Sequence, residues 1–294
     1  MRKFGFIGTG IMGEPMCRHL ATKGSEPVMA YDRDLEPLDR LAEHGVVTAG
    51  SVAEVAKQAD ILFVSLPSGQ HLASICEGVD GVLANARPGT TFVDLGTSPL
   101  SLTRELAGRF EAAGVHYADA PVARTRAAAE TGTLAITVGA SDEIFATIAP
   151  LLGRFASEVT HCGPVGTGQI VKILNNMVVV GTVMALSEAA AIAGAAGVET
   201  QALFDAFAKG SADSFALRNH GFKAVAQGTF PERVFSTEYM RKDIGYALEM
   251  AADAQLTPTI AAHAHDLLTQ ATDAGHGANY WPIISRLIAA ARKA

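Results

Sequence analysis

Residues 3–13 read Lys3-Phe4-Gly5-Phe6-Ile7-Gly8-Thr9-Gly10-Ile11-Met12-Gly13, and this stretch decides the fold. Lys3 to Ile7 is a short apolar run of strand character. Gly8, Gly10 and Gly13 then spell G-x-G-x-x-G, and a helix-compatible run from Glu14 to Lys23 follows. A strand, a glycine turn and a helix in that order is the setting in which this motif carries weight. The glycines permit the tight turn and let backbone N–H groups approach a pyrophosphate at the helix N-terminus. A second strand, Pro27 to Tyr31, ends in Asp32, nineteen residues after Gly13. That spacing suits a carboxylate that binds the adenosine ribose diol. The expected cofactor contacts are therefore Gly8, Thr9, Gly10, Ile11, Met12, Gly13, Asp32 and Arg33. Asp32 would repel the 2′-phosphate of NADP, whereas Arg33 could attract it or lie along the adenine. NAD is favoured and NADP is possible.

Beyond Asp32 the strand–helix alternation continues. Helices are expected at Leu35–His44 and Ser51–Gln58, and a buried strand at Asp60–Leu66 is broken by Pro67 and Ser68. Such a turn at a strand's C-terminal end is where the nicotinamide side of a cofactor would pass. Asp80–Ala86 reads as loop and short helix. Strand Thr90–Asp94 ends in Gly96-Thr97-Ser98-Pro99, followed by helix Leu100–Ala113 and strand Val115–Ala118. Residues 123–134 read as loop then helix. Strands Ala135–Val138 and Glu158–His161 flank helix Asp142–Leu152.

The segment Gly163–Gly197 opens with loop residues and turns helical at about Gln169 for some 25 residues. Fifteen uncharged residues run from Ile173 to Ser187, which predicts a mostly buried helix, too short and interrupted to span a bilayer. Lys172, Asn175 and Asn176 sit at i, i+3 and i+4, on one helix face. Polar groups beside a buried run are costly unless paired or used. Two readings are open: a lysine that snorkels while the asparagines bond backbone, or an acid/base lysine with substrate-orienting amides. Later helices are expected at Thr200–Lys209, Phe215–Gln227, Ser236–Ala254, Pro258–Ala274 and Ile283–Arg292. The fold class is thus α/β: an N-terminal Rossmann domain (1–163) joined by a long helix to an all-α C-terminal domain (164–294) for substrate and oligomerisation.

The whole chain bounds this reading. Its 294 residues suffice for two domains, and 49% apolar with 18% charged residues supply a core. A net charge of −7 with no basic face argues against a nucleic-acid partner. Cys17, Cys76 and Cys162 are odd in number and widely spaced, which fits a reducing cytoplasm, without a disulfide framework or metal-ligand spacing. The nine histidines form no metal pattern, and MRKFGFIGTG has no signal-peptide core.

Four stretches carry a family resemblance. GFIGTGIMGEPM at Gly5–Met16, DAPVARTRAAAETGTL at Asp119–Leu134, GTGQIVKILNN at Gly166–Asn176 and MRKDIGYAL at Met240–Leu248 occur in order with family spacing. The chain resembles the β-hydroxyacid dehydrogenase family, which includes 3-hydroxyisobutyrate dehydrogenase, tartronate semialdehyde reductase and sulfolactaldehyde reductase. The resemblance implies that Lys172 is the catalytic acid/base, and that Asn175 or Asn176 helps hold the substrate. It implies that Lys242 lies by the nicotinamide and that Leu66, Pro67 and Thr97 line the cofactor cleft. Ser214 and Phe215 are candidates to reach the substrate pocket, and a homodimer or homotetramer is expected from the family's use of the helical domain.

One departure concerns specificity. Most of the family has Ser-Gly-Gly where this chain has Ala123-Arg124-Thr125; sulfolactaldehyde reductases are similar here, with Gly-Arg-Thr. Arg124, with Thr125, could grip an anionic group by bidentate N–H bonds. The resulting expectation is reversible hydride transfer between NAD(H) and a short anionic 3-hydroxy acid or its semialdehyde, with a sulfonate or a carboxylate as the anion. Two alternatives are an imine reductase of the same superfamily, which usually lacks the lysine, and a non-enzymatic cofactor-binding regulator.

Overall fold

The computed structural model describes residues 2–232 and 234–291. Contact density divides the chain into two compact units, Met1–Lys172 and Ile173–Ala294.

The first unit is built on one sheet. Strands β1 (Phe4–Ile7), β2 (Val28–Tyr31), β3 (Val47–Thr48), β4 (Ile61–Val64), β5 (Thr91–Asp94) and β6 (His116–Asp119) are parallel, in the order β3-β2-β1-β4-β5-β6. This is the doubly wound dinucleotide-binding order, with its switch point between β1 and β4. Strands β7 (Val122–Ala123), β8 (Leu134–Gly139) and β9 (Ala156–Gly163) extend the sheet; β8 is antiparallel to β6 and β7 and parallel to β9. The helices of this unit are α1 (Gly13–Thr22), α2 (Leu35–Ala42), α3 (Val52–Gln58), α4 (Gly69–Cys76), α5 (Val82–Asn85), α6 (Leu100–Ala112), α7 (Arg126–Thr131) and α8 (Asp142–Leu152).

The sequence explains these elements. β1, β4 and β5 read FGFI, ILFV and TFVD, buried at every position, as strands covered on both faces must be. Phe4, Phe6, Phe63 and Phe155 pack on one face of the sheet and Phe92, Phe110 and Tyr117 on the other. Asp34, Ser51, Ser68 and Ser141 start α2, α3, α4 and α8 by accepting a backbone N–H two or three residues on.

Helix α9 (Thr167–Ala195) has 29 residues and begins two residues before the expected start. The rest of the second unit comprises α10 (Thr200–Phe207), a wide i→i+5 turn at Leu217–Val225, α11 (Thr237–Asp253), α12 (Thr259–Ala271), a wide turn at Thr272–His276 and α13 (Ile284–Ala290). Fully buried Trp281 anchors its core. Arg292, the expected end of the last helix, lies outside the described residues.

Several expectations need correction. β3, α4 and β7 were not anticipated: two of them are two-residue strands, too short for a periodic signal, and α4 follows directly on the Pro67-Ser68 break. The expectation of a mostly buried α9 fails, because Val171, Leu174, Val178 and Ile192 are exposed along it. Nor is the helix too short: it is long and apolar enough to cross a membrane by length and composition. The uncharged run marked only its middle; helical residues on both sides lengthen it.

Candidate active site

The C-terminal ends of β1, β2, β4 and β5 carry the cofactor candidates of the first unit. Gly8 has φ 90°, and a Cβ there would lie 2.2 Å from the Ser65 carbonyl oxygen. A Cβ on Gly13 would lie 1.9 Å from the Gly8 oxygen, so both glycines serve the turn itself. Gly10 differs, since a Cβ there would meet nothing within 4 Å. It is exposed, with no internal reason to be bare, which fits a backbone approached by a ligand from outside. Thr9 is fully buried, and its Oγ1 has no hydrogen-bond partner. Met12, the residue before α1, gives the helix no side-chain cap, and the Glu14 N–H donates to the Gly10 carbonyl at 3.0 Å, so the remaining N–H groups of the turn can face an anion. Ile11 lies exposed over the turn.

Asp32 closes the edge of this cradle. One carboxylate oxygen accepts the Thr9 N–H at 2.6 Å and the other accepts the Asp34 N–H at 2.9 Å. Its charge is thereby fixed at the end of β2, beside exposed Arg33. Leu66 and Pro67 follow β4, and half-buried Thr97 follows β5. An open glycine, an orphaned buried hydroxyl and an uncapped helix start together fit a dinucleotide.

The first turn of α9 is tied to the same sheet. Asp119, fully buried at the end of β6, accepts the Gly166 N–H at 2.6 Å and the Gln169 N–H at 2.7 Å. Burial pushes its carboxyl up to about 6, against the pull of those two N–H groups. The Thr137 hydroxyl donates to the Gly168 carbonyl at 3.0 Å, and a Cβ on Gly168 would lie 2.6 Å from the Thr137 oxygen. Buried Gln169 accepts the Ser98 N–H at 3.2 Å and donates to the Gly96 carbonyl at 2.9 Å and to Asp94 at 3.3 Å. Lys172, half-buried, follows Gln169 by three residues on this anchored turn.

Ala123 ends β7, and Arg124 and Thr125 lead from it into α7. Arg124 holds φ 82°, a left-handed conformation that costs a non-glycine residue about 1–3 kcal/mol. Its Nη1 donates to the Thr133 carbonyl at 2.6 Å and to Ser157 Oγ at 2.8 Å. The guanidinium is thus pinned at one corner.

In the second unit a polar chain runs from α9 to α11. Asn175 donates to Asn176 Oδ1 at 3.2 Å, and buried Asn176 donates to Asp243 Oδ2 at 2.7 Å. Asp243 Oδ1 pairs with Lys242 Nζ at 3.1 Å. Lys242 Nζ also lies 5.1 Å from the Tyr239 ring centroid and 5.2 Å from that of Tyr246. The structure gives Ser214 a local duty: its Oγ accepts the Leu217 N–H at 3.0 Å, while Phe215 is exposed. Among the described residues no group of three or more His, Cys, Asp and Glu could hold a metal ion.

Sequence reasoning missed Asp119 and Gln169 as anchors of α9, Asp243 as a junction, and the two tyrosines. Tyr239 and Tyr246 stand at i−3 and i+4 from Lys242, a spacing that puts them on its helix face and was available to find them.

Residues 3–163 match the family described as the NAD binding domain of 6-phosphogluconate dehydrogenase. Residues 166–284 match the NAD-binding family of NADP-dependent 3-hydroxyisobutyrate dehydrogenase. The chain is 33% identical to 2-(hydroxymethyl)glutarate dehydrogenase of Eubacterium barkeri over 247 residues, 84% of this chain and 81% of that one. A solved structure of Mycobacterium tuberculosis 3-hydroxyisobutyrate dehydrogenase with L-serine has a TM-score of 0.89 at 30% identity, covering 98% of this chain and 99% of its own. A Myxococcus stipitatus imine reductase variant with NAD+ reaches a TM-score of 0.65 at 19% identity over 98% and 99% of the two chains, which is likeness of fold alone. With the cradle, the strand order and these matches together, the chain belongs to the β-hydroxyacid dehydrogenase family and is an NAD(P)-dependent hydroxyacid dehydrogenase of the 3-hydroxyisobutyrate dehydrogenase type.

Proposed function

We propose that the enzyme moves a hydride reversibly between NAD(H) and a short anionic 3-hydroxy acid or its semialdehyde, with Lys172 as general acid/base. The observation that carries this reading is the anchoring of Lys172: Asp119 and Gln169 bind the first turn of α9 to the ends of β5 and β6, the edge that binds nucleotides in this fold. Bound NADH supplies the hydride. As ammonium, Lys172 protonates the carbonyl oxygen of the aldehyde; neutral, it takes the hydroxyl proton in the reverse direction. Asn175 and Asn176 orient the substrate, Lys242 is the cation beside the nicotinamide, and Ser214 and Phe215 border the substrate. The L-serine bound by the M. tuberculosis relative is itself a short 3-hydroxy acid, which supports this substrate class.

Arg124 is the anion clamp in this reading, with Ala123 and Thr125 beside it. Thr133 and Ser157 hold Nη1, so the planar group is already oriented when an anion arrives, and the left-handed backbone at Arg124 is the strain that orientation exacts. Asp32 makes NAD the preferred cofactor, since its fixed charge opposes a 2′-phosphate. The acidic chain has no nucleic-acid or membrane partner in this reading and works in the cytoplasm. The apolar residues exposed along α9, Val171, Leu174, Val178 and Ile192, support a homodimer or homotetramer.

The test is NADH oxidation against tartronate, methylmalonate and succinate semialdehydes and sulfolactaldehyde, with NADPH alongside and Arg124→Ala as control. Turnover of one of these that falls at least tenfold in Arg124→Ala supports the clamp. Turnover unchanged in that variant removes Arg124 from substrate binding, and no turnover of any short aldehyde overturns the substrate class.

A further inference from the structure

Lys242 stands on α11 between two aromatic rings. Tyr239 precedes it by three residues and Tyr246 follows by four, so both rings rise on the helix face that bears the lysine. Their centroids lie 5.1 and 5.2 Å from Nζ, within the range at which a ring quadrupole attracts an ammonium. The Asp243 carboxylate closes a third side at 3.1 Å. Only about 20% of the Lys242 side chain is exposed, and the carboxylate is almost wholly buried. A lysine needed only for charge at the surface would keep its rotamers free; this one is confined by two rings and an ion pair.

We propose that Tyr239 and Tyr246 are positioning residues, an aromatic bracket that holds the Lys242 ammonium in the orientation in which it meets the cofactor. The proposal rests on the reading of Lys242 as the cofactor-side cation. The rings act through their faces, by electrostatic attraction and by excluding alternative rotamers. Asp243 balances the charge but constrains direction less, because an ion pair tolerates many approach angles.

The experiment measures the NADH dissociation constant and the steady-state kcat and KM of the full-length protein. The variants are Tyr239→Leu, Tyr246→Leu and the two Phe replacements, each in the wild-type and in a Lys242→Met background. A second readout is the 13C NMR signal of dimethylated Lys242, which senses the rings without any cofactor. The Leu variants should weaken NADH binding by about threefold to tenfold and move the dimethyl-lysine signal, while the Phe variants stay within about twofold of wild type. In the Lys242→Met background the Leu replacements should have no further effect. Leu variants that bind NADH like wild type, or that lose as much in the Lys242→Met background, overturn the bracket. If Lys242→Met binds NADH like wild type, the reading of Lys242 fails, and the bracket's cofactor role with it; a dimethyl-lysine signal that the Leu variants still move marks that failure as one of role and not of geometry.

Discussion

Asn176 gives its side-chain N–H to Asp243 Oδ2 at 2.7 Å, and both groups are buried. Removing the donor leaves one buried carboxylate oxygen without this partner, which costs more than the bond itself contributes, although Lys242 still pairs with the other oxygen. Asn176→Ala should lower stability by about 2 kcal/mol, read by urea unfolding. Asn176→Asp should be worse above pH 5, because two carboxylates would then face each other. Equal effects of the two variants at neutral pH would show that Asp243 does not depend on this donor.

The glycine loop separates folding from binding. Gly8→Ala and Gly13→Ala should lower Tm markedly, since a Cβ would collide with the Ser65 or Gly8 carbonyl. Gly10→Ala meets nothing within 4 Å, so Tm should stay close to wild type while NADH affinity falls at least tenfold. Thermal melts and fluorescence titration on the three proteins decide. Unchanged NADH affinity in Gly10→Ala would place the pyrophosphate elsewhere.

In the proposed reading Asp32 sets cofactor choice. Asp32→Asn should raise kcat/KM for NADPH relative to NADH by about tenfold or more, a change of ~1.4 kcal/mol. The amide oxygen can still accept the Thr9 N–H, while the amide NH2 leaves the Asp34 N–H without its acceptor, so a melting curve accompanies the kinetics. A ratio that does not move would shift the discrimination to Arg33.

Asp119 gives stability a pH signature. Its folded-state carboxyl titrates near 6, above its ordinary 3.8, chiefly through burial. The folded state therefore holds this proton more tightly than the unfolded chain. Stability from this group is greatest below pH 4 and is lost as pH rises to about 6, by up to ~3 kcal/mol at 1.36 kcal/mol per pH unit. Above that the loss is constant. Urea unfolding of wild type and Asp119→Asn from pH 4 to 7 should show the wild type losing ground across that window. A wild type that gains on Asp119→Asn as pH rises would mean that the Gly166 and Gln169 N–H bonds outweigh burial.

The sequence made the skeleton legible where a residue type has one local reason to be there. The glycines of residues 8–13, Asp32 at its distance and the unbroken apolar runs of β1, β4 and β5 could each be read without neighbours, whereas Lys172 and its two asparagines left two readings open. The Rossmann class followed from the first of these, and the family from four motifs in order; the strand order came only with the structure. What could not be read depends on partners far along the chain. Asp119 meets Gln169 across 50 residues, and Asn176 meets Asp243 across 67. Arg124 carried a chemical expectation, yet its backbone conformation and its bonds to Thr133 and Ser157 are properties of the sheet edge. The burial of α9 cannot be read this way because an apolar residue on a helix says only that it prefers cover, and Val178 and Ile192 stay 62% and 71% exposed among the described residues.

The proposed reaction depends on Lys172 as the group that carries the proton. The decisive values are kcat of Lys172→Ala with NADH and the best semialdehyde, and its NADH dissociation constant. NADH binding should stay within about threefold of wild type while kcat falls by about a hundredfold or more. A variant that keeps more than about a tenth of wild-type kcat would contradict it, because loss of a general acid/base costs far more than that.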